Sequence, residues 1–223
     1  MKWSKLIISF LFFIGILSLI ACGSSSPKKQ SRVENLPYYS DASFTPHWLA
    51  SDSKALDTLH QIAPFQLINQ EGDTITEQTF AQKIYVTDFF FTSCPGICPK
   101  MTNNMAIIQA EFLEDKSLLL LSHSVTPNKD SVAILKAYAD NKGVLSHKWH
   151  LATGTQEAIY KLGRKDYFVE ENLGQSKAPD DFLHTENFVL IDQNRHIRGI
   201  YNGLNKSAIQ QLIADIYTLK KEK

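Results

Sequence analysis

Residues 83–91 (KIYVTDFFF) constrain this chain more than any other stretch. After Lys83 the run is aromatic, β-branched or apolar almost throughout, without the in–out alternation of a strand that keeps one face in water. It reads as a strand buried on both sides, so neighbouring elements must cover both faces of its sheet. Directly after it comes TSCPGICPK, residues 92–100, which holds two of the three cysteines, Cys94 and Cys98. Two thiols at the end of a buried strand can be a structural disulfide, a redox pair or a metal clamp. The rest of the sequence has to separate these.

The flanking pattern supplies the cover. Residues 65–76 (FQLINQEGDTIT) show two short apolar segments around Gln70-Glu71-Gly72, a hairpin signal. Residues 99–113 carry Met101, Met105, Ile108 and Phe112 at helical spacing, with Pro99 suited to the first turn. Residues 117–125 (SLLLLSHSV) form a second buried strand, residues 131–141 a helix ended by Gly143, and KWHLATG a short strand. A helix is expected over 156–165 and a long polar loop over 167–182. NFVLID and HIRGIY are strands joined through Gln193-Asn194, and residues 205–219 form an amphipathic helix. Strands alternating with helices, closed by a hairpin and a helix, predict a thioredoxin-like three-layer α/β sandwich with a central mixed sheet.

The N-terminus belongs to no such fold. Lys2 and Lys5 precede an apolar run over residues 6–20, short for a membrane span and of signal-peptide length. LIAC, residues 19–22, resembles the lipobox of bacterial lipoproteins, which implies lipidation of Cys22 after removal of residues 1–21. An uncleaved anchor is the alternative. Either way the chain is expected to be tethered on the extracytoplasmic side of a bacterial membrane, the periplasmic face. Residues 22–35 read as a flexible tether, 36–61 as an ordered extension with Tyr38, Tyr39, Phe44 and Trp48, and 62–223 as the main domain. Lys plus Arg and Asp plus Glu both total 23. Loss of Lys2 and Lys5 leaves the mature chain slightly acidic, so neither nucleic acid nor polybasic lipid binding is implied.

If Cys22 carries lipid, Cys94 and Cys98 are the remaining thiols, in a compartment where they can be oxidised. A structural bridge is disfavoured because its loop spans few residues, and the entropic gain grows with loop length. Placed between a strand and the mouth of a helix, the pair meets free N–H groups and a positive helix end, which favour thiolate. A thiolate is both the nucleophile of disulfide exchange and a soft ligand for Cu(I). Among seven histidines, His184 stands out, since it ends the polar loop and begins the strand NFVLID. His123, on the second buried strand, is an alternative copper group or simply core. Asp88 is a proton acceptor for thiol exchange or a satisfied buried acid. Asp130 reads as the cap of the helix that follows it.

TSCPGICPKMTNNM, SVTPNKDS, WHLATG and HTENFVLIDQNRHIRGIYNG together resemble the Sco/SenC family of copper-handling proteins, from about residue 62 to residue 219. The resemblance implies a thioredoxin-like fold, a membrane tether, and one copper, Cu(I) or Cu(II), held by Cys94, Cys98 and His184. It also implies help in assembling the dinuclear copper centre of cytochrome c oxidase, with the copper-accepting subunit or another extracytoplasmic thiol protein as partner. The family's other activity would be thiol–disulfide exchange at a redox-active Cys94–Cys98 pair, and a copper or redox sensor would use the same residues. One position departs from the pattern: Thr126 stands where the family commonly has Asp, which bears on partner recognition.

Overall fold

The strand over residues 84–90 is buried at every position, as its composition demands. The structure, a computed structural model, describes residues 30–170 and 182–222. The signal segment, Cys22 and most of the tether lie outside these residues, as does most of the expected polar loop. Seven strands are present among the described residues: β1 (Gln66–Ile68), β2 (Thr74–Thr76), β3 (Ile84–Phe90), β4 (Leu118–Ser124), β5 (Trp149–Ala152), β6 (Asn187–Ile191) and β7 (Ile197–Asn202). The first two form a separate antiparallel hairpin, and the rest form one sheet of order β5-β4-β3-β6-β7. β3 and β4 run parallel, Ile84 beside Leu118 through Phe90 beside Ser124, and β4 and β5 are parallel too. β6 is antiparallel to β3, with Tyr85 opposite Ile191 and Thr87 opposite Val189. The sheet is therefore mixed, and the chain is an α/β sandwich of the thioredoxin-like kind.

Side-chain alternation along β3 and β4 divides the core in two. Ile84, Val86, Phe90, Leu118 and Leu120 face a layer built from α1 (Cys98–Glu111), α2 (Val132–Lys142) and α4 (Lys206–Leu219). Met101, Met105, Ile108 and Phe112, picked out by spacing, are all buried there. Each such side chain contributes about 1.5–3 kcal/mol by leaving water. Tyr85, Phe89, Leu119 and Leu121 face the opposite layer: the β1–β2 hairpin, α3 (Gln156–Lys161) and the segment that follows it.

Local chemistry sets the helix ends. The Ser131 hydroxyl accepts the N–H of Ile134 to start α2, and Gly143 ends it at φ 69°, a left-handed conformation that suits glycine. Asp130 is therefore not the cap that its position suggested; the cap is one residue later, and Asp130 faces elsewhere. The helix expected to reach residue 165 stops at Lys161 and widens into a π turn over Leu162–Asp166. Leu162, Tyr167 and Val169, in and just after that turn, are buried in the core.

The extension is fastened by Arg198. Its guanidinium lies 3.9 Å from the Tyr38 ring centroid and donates to the carbonyls of Leu36 (2.7 Å) and Pro37 (3.1 Å). It also pairs with Asp192 at 3.2 Å and with Glu222 at 2.5 Å, so one buried cation joins the extension, the β6–β7 turn and the C-terminus. Among the described residues no helix is long and apolar enough to cross a membrane.

Candidate metal and thiol site

Parallel β3, β4 and β5 end at one pole of the sheet, and antiparallel β6 begins there. The turn after β3 carries Cys94, and its N–H donates to the Phe91 carbonyl at 3.3 Å. Cys98 opens α1, with Pro99 in the first turn. No side chain caps this helix, and its first turn holds no acid. The uncapped mouth of α1 instead leaves backbone N–H groups that favour a thiolate at Cys94.

The two thiols are free and differ in depth. Burial pushes the partly exposed Cys94 upward, but the Cys98 N–H, the Cys98 thiol and the N–H groups of Gly96 and Ile97 outweigh it, so Cys94 lies below an ordinary thiol. Cys98 is buried and is pushed up to about 12, first by that burial and then by the neighbouring Cys94 and Asp88; the backbone of Phe91 only partly offsets this. Of the two, Cys94 is therefore the thiol that ionises first, and Cys98 keeps its proton.

His184 stands just before β6, at the same pole as the cysteine turn. Its neighbours anchor it: Leu183 and Thr185 are buried, and Phe182 meets Phe91 edge-on with ring centroids 5.5 Å apart. The His184 N–H donates to Glu170 at 3.4 Å, and its side chain is exposed. Among the described residues no three His, Cys, Asp or Glu side chains stand close enough to hold a metal ion. The structure thus joins Cys94 to Cys98 and brings His184 to their end of the sheet, outside bonding range of a common ion. The chemistry of this donor set, two thiols and an imidazole, suits copper better than a hard, oxygen-seeking cation.

The other sequence candidates separate by face. Asp88 shares the α1 side of the sheet with Cys98 and accepts from the Ser122 hydroxyl, which in turn receives the Trp149 indole N–H at 2.9 Å. Burial raises Asp88 to about 7, against the Ser122 bond. It is a satisfied buried acid near the thiols.

His123 is on the opposite face, stacked on Phe89 at 4.6 Å and fully buried. Its Nδ1 lies 3.1 Å from the Thr87 hydroxyl and 3.3 Å from the Asp88 carbonyl. The sheet stands between it and Cys98, so it is a core residue and not an alternative copper ligand.

Sequence reasoning missed what Asp130 does. Its carboxylate binds Thr92, the residue that starts the cysteine turn. One signal was available: Asp130 and Ser131 both have cap chemistry, and one helix takes one cap.

A cleft of about 540 Å³ opens at the opposite pole, lined by residues including Asp52, Lys54, Gln61, Arg195 and His196. It is remote from the thiols, of which Cys94 is the partly exposed one.

These features define a thioredoxin-like protein with an asymmetric dithiol at the tip of its central strand. The profile of the SCO1/SenC family matches residues 53–221, and the chain belongs to that family. A SCO1/SenC family lipoprotein from Bacillus anthracis is 30% identical, with a TM-score of 0.61 over 73% of this chain and 96% of its own. A SCO1 protein homologue of Bacillus subtilis is 26% identical over 159 residues, 70% of this chain and 81% of that one. A copper-bound Sco protein of Arabidopsis thaliana is 25% identical, with a TM-score of 0.55 over 70% and 97% of the two chains.

Proposed function

We propose that this chain is a membrane-tethered copper metallochaperone that helps assemble the dinuclear copper centre of cytochrome c oxidase, taking one copper through Cys94, Cys98 and His184. The observation that carries this reading is the dithiol at the mouth of α1, with His184 anchored at the same end of the sheet. The copper-bound Arabidopsis relative supports the choice of metal. Thiolates hold Cu(I), and an imidazole nitrogen adds the third donor that also accommodates Cu(II). Cys94 is already inclined to give up its proton, while Cys98 must release one as the ion arrives. The exposed His184 side chain closes on the thiols in the loaded form. An accessible site lets an acceptor replace these ligands one at a time, so copper passes without release to water. Lipidation of Cys22 and an extracytoplasmic location belong to the same proposal, and the lipoprotein relative from Bacillus anthracis supports them.

The split between the thiols favours one second reading, thiol–disulfide oxidoreductase. Cys94 thiolate attacks a disulfide in the target, forming a mixed disulfide and expelling the target's other sulfur as a thiolate, which takes a proton. Cys98 then attacks the mixed disulfide, closing Cys94–Cys98 and releasing the target dithiol. In that case His184 is dispensable. A copper or redox sensor would bind without turnover.

The test is a titration of the full-length chain, reduced and free of oxygen, with Cu(I) against a competing chelator, then with Cu(II). One copper per chain is expected, abolished by Cys94→Ser and weakened by His184→Ala. Failure to compete in both oxidation states would sink the copper reading and leave the dithiol as a reductase pair.

A further inference from the structure

The carboxylate of Asp130 is 1% exposed and accepts four hydrogen bonds. Thr92 gives two of them, its hydroxyl to Oδ1 at 2.6 Å and its N–H to Oδ2 at 3.2 Å. The hydroxyls of Ser124 (2.5 Å) and Thr126 (3.0 Å) donate to Oδ2. Bonds to a carboxylate are roughly twice as strong as neutral ones. Burial makes them costly to lose, because each orphaned donor then stays out of water.

The placement of these partners is informative. Thr92 begins the turn that carries Cys94, two residues before it, while Ser124 and Thr126 end β4 and start the next loop. Asp130 has no duty as a helix cap, since Ser131 does that work. Its four bonds tie the cysteine turn to the end of β4 and to the loop that follows it. Thr126 matters here because its hydroxyl can donate; an acid at this position, as the family commonly has, offers Asp130 no proton when ionised.

We propose that Asp130 is a positioning residue for Cys94. By holding both the N–H and the hydroxyl of Thr92, it fixes the start of the turn. That in turn sets where Cys94 sits against the uncapped mouth of α1. The inference deepens the proposed function and rests on its reading of Cys94 as the working thiol.

The experiment uses the full-length reduced chain without metal. Alkylation of Cys94 is followed against pH, with the modified residue assigned by mass spectrometry, in wild type, Thr92→Val, Asp130→Asn and Ser131→Ala. Thr92→Val keeps size and shape and removes one bond to Asp130. Ser131→Ala removes the adjacent helix cap and none of Asp130's bonds, so it controls for a general loss of stability, which denaturant unfolding measures in parallel. The expected result is a profile displaced to higher pH in Thr92→Val and Asp130→Asn, with Ser131→Ala matching wild type. A folded Thr92→Val with the wild-type profile overturns the proposal and leaves Asp130 a structural plug. Should Asp130→Asn fail to fold, Thr92→Val decides alone. A parallel Cu(I) competition is expected to show a roughly tenfold loss of affinity in Thr92→Val. The alkylation arm contains no copper, so a wild type that binds none would defeat the metallochaperone reading while the positioning of Cys94 is judged separately.

Discussion

The order in which Cys94 and Cys98 ionise follows their depth: one sulfur lies at a helix mouth, the other among Met101, Phe90 and the strand residues beneath. Brief alkylation of the reduced chain at neutral pH is expected to label Cys94 and spare Cys98 until the protein is unfolded. Mass spectrometry of the two peptides checks this, and equal labelling would contradict the assignment.

His123 makes a second residue-level prediction. Its folded pKa is lowered from 6.5 to about 4, by burial against a bond to the Asp88 backbone. The folded chain refuses a proton that the unfolded chain accepts below 6.5, so stability is full above that pH and falls as pH drops toward 4. The shift corresponds to about 3 kcal/mol. Asp88, raised to about 7, acts in the opposite sense: its contribution is full below the ordinary carboxylate range and is lost as pH rises through 7. The clean observable is therefore a difference. Relative to wild type, His123→Phe should gain stability progressively between pH 6.5 and 4, measured by denaturant unfolding at each pH.

At the scale of elements, the π turn after α3 and the segment leading to His184 meet at Gly163. A Cβ there would lie 2.5 Å from Leu183 Cδ1 and 3.1 Å from Phe89 Cε1. Neither neighbour can retreat easily, because both are core residues. Gly163→Ala is expected to cost about 1–3 kcal/mol by overpacking. Because Leu183 adjoins His184, the same change should also weaken copper binding in the chelator competition, and denaturant unfolding separates the two effects. Helix boundaries here were largely legible beforehand: Asn205, which accepts from Ser207 and Ala208, and Gly143 are local signals that act within a few residues. The π turn was not legible, because residues 162–166 carry no proline and no side-chain cap, and their packing is set by distant strands.

At the scale of the whole molecule, Arg198 decides whether residues 36–39 stay on the domain. Arg198→Met removes a buried cation from between Asp192 and Glu222 and strips the Leu36 and Pro37 carbonyls of a donor. Breaking a buried pair in this way costs about 3–5 kcal/mol. The expected outcome is early proteolytic cleavage near residue 38 and a lowered unfolding midpoint. Wild-type protease resistance would show that the extension is held by other contacts.

The sequence by itself determined the parts of this protein that depend on near neighbours. Unbroken apolar runs require strands covered on both faces, Pro99 and Gly143 punctuate helices, and the Cys94–Cys98 spacing with His184 before a strand carries the family resemblance. Tertiary structure decided which of those parts meet. A shift of one position along β4 moves a side chain across the sheet, and that parity sends Ser122 to Asp88 and His123 to Phe89. Asp130 finds Thr92 across 38 residues of chain. No local pattern encodes that pairing. It exists because parallel β3 and β4 end side by side, and a buried carboxylate must find its donors on whatever backbone the fold has brought there.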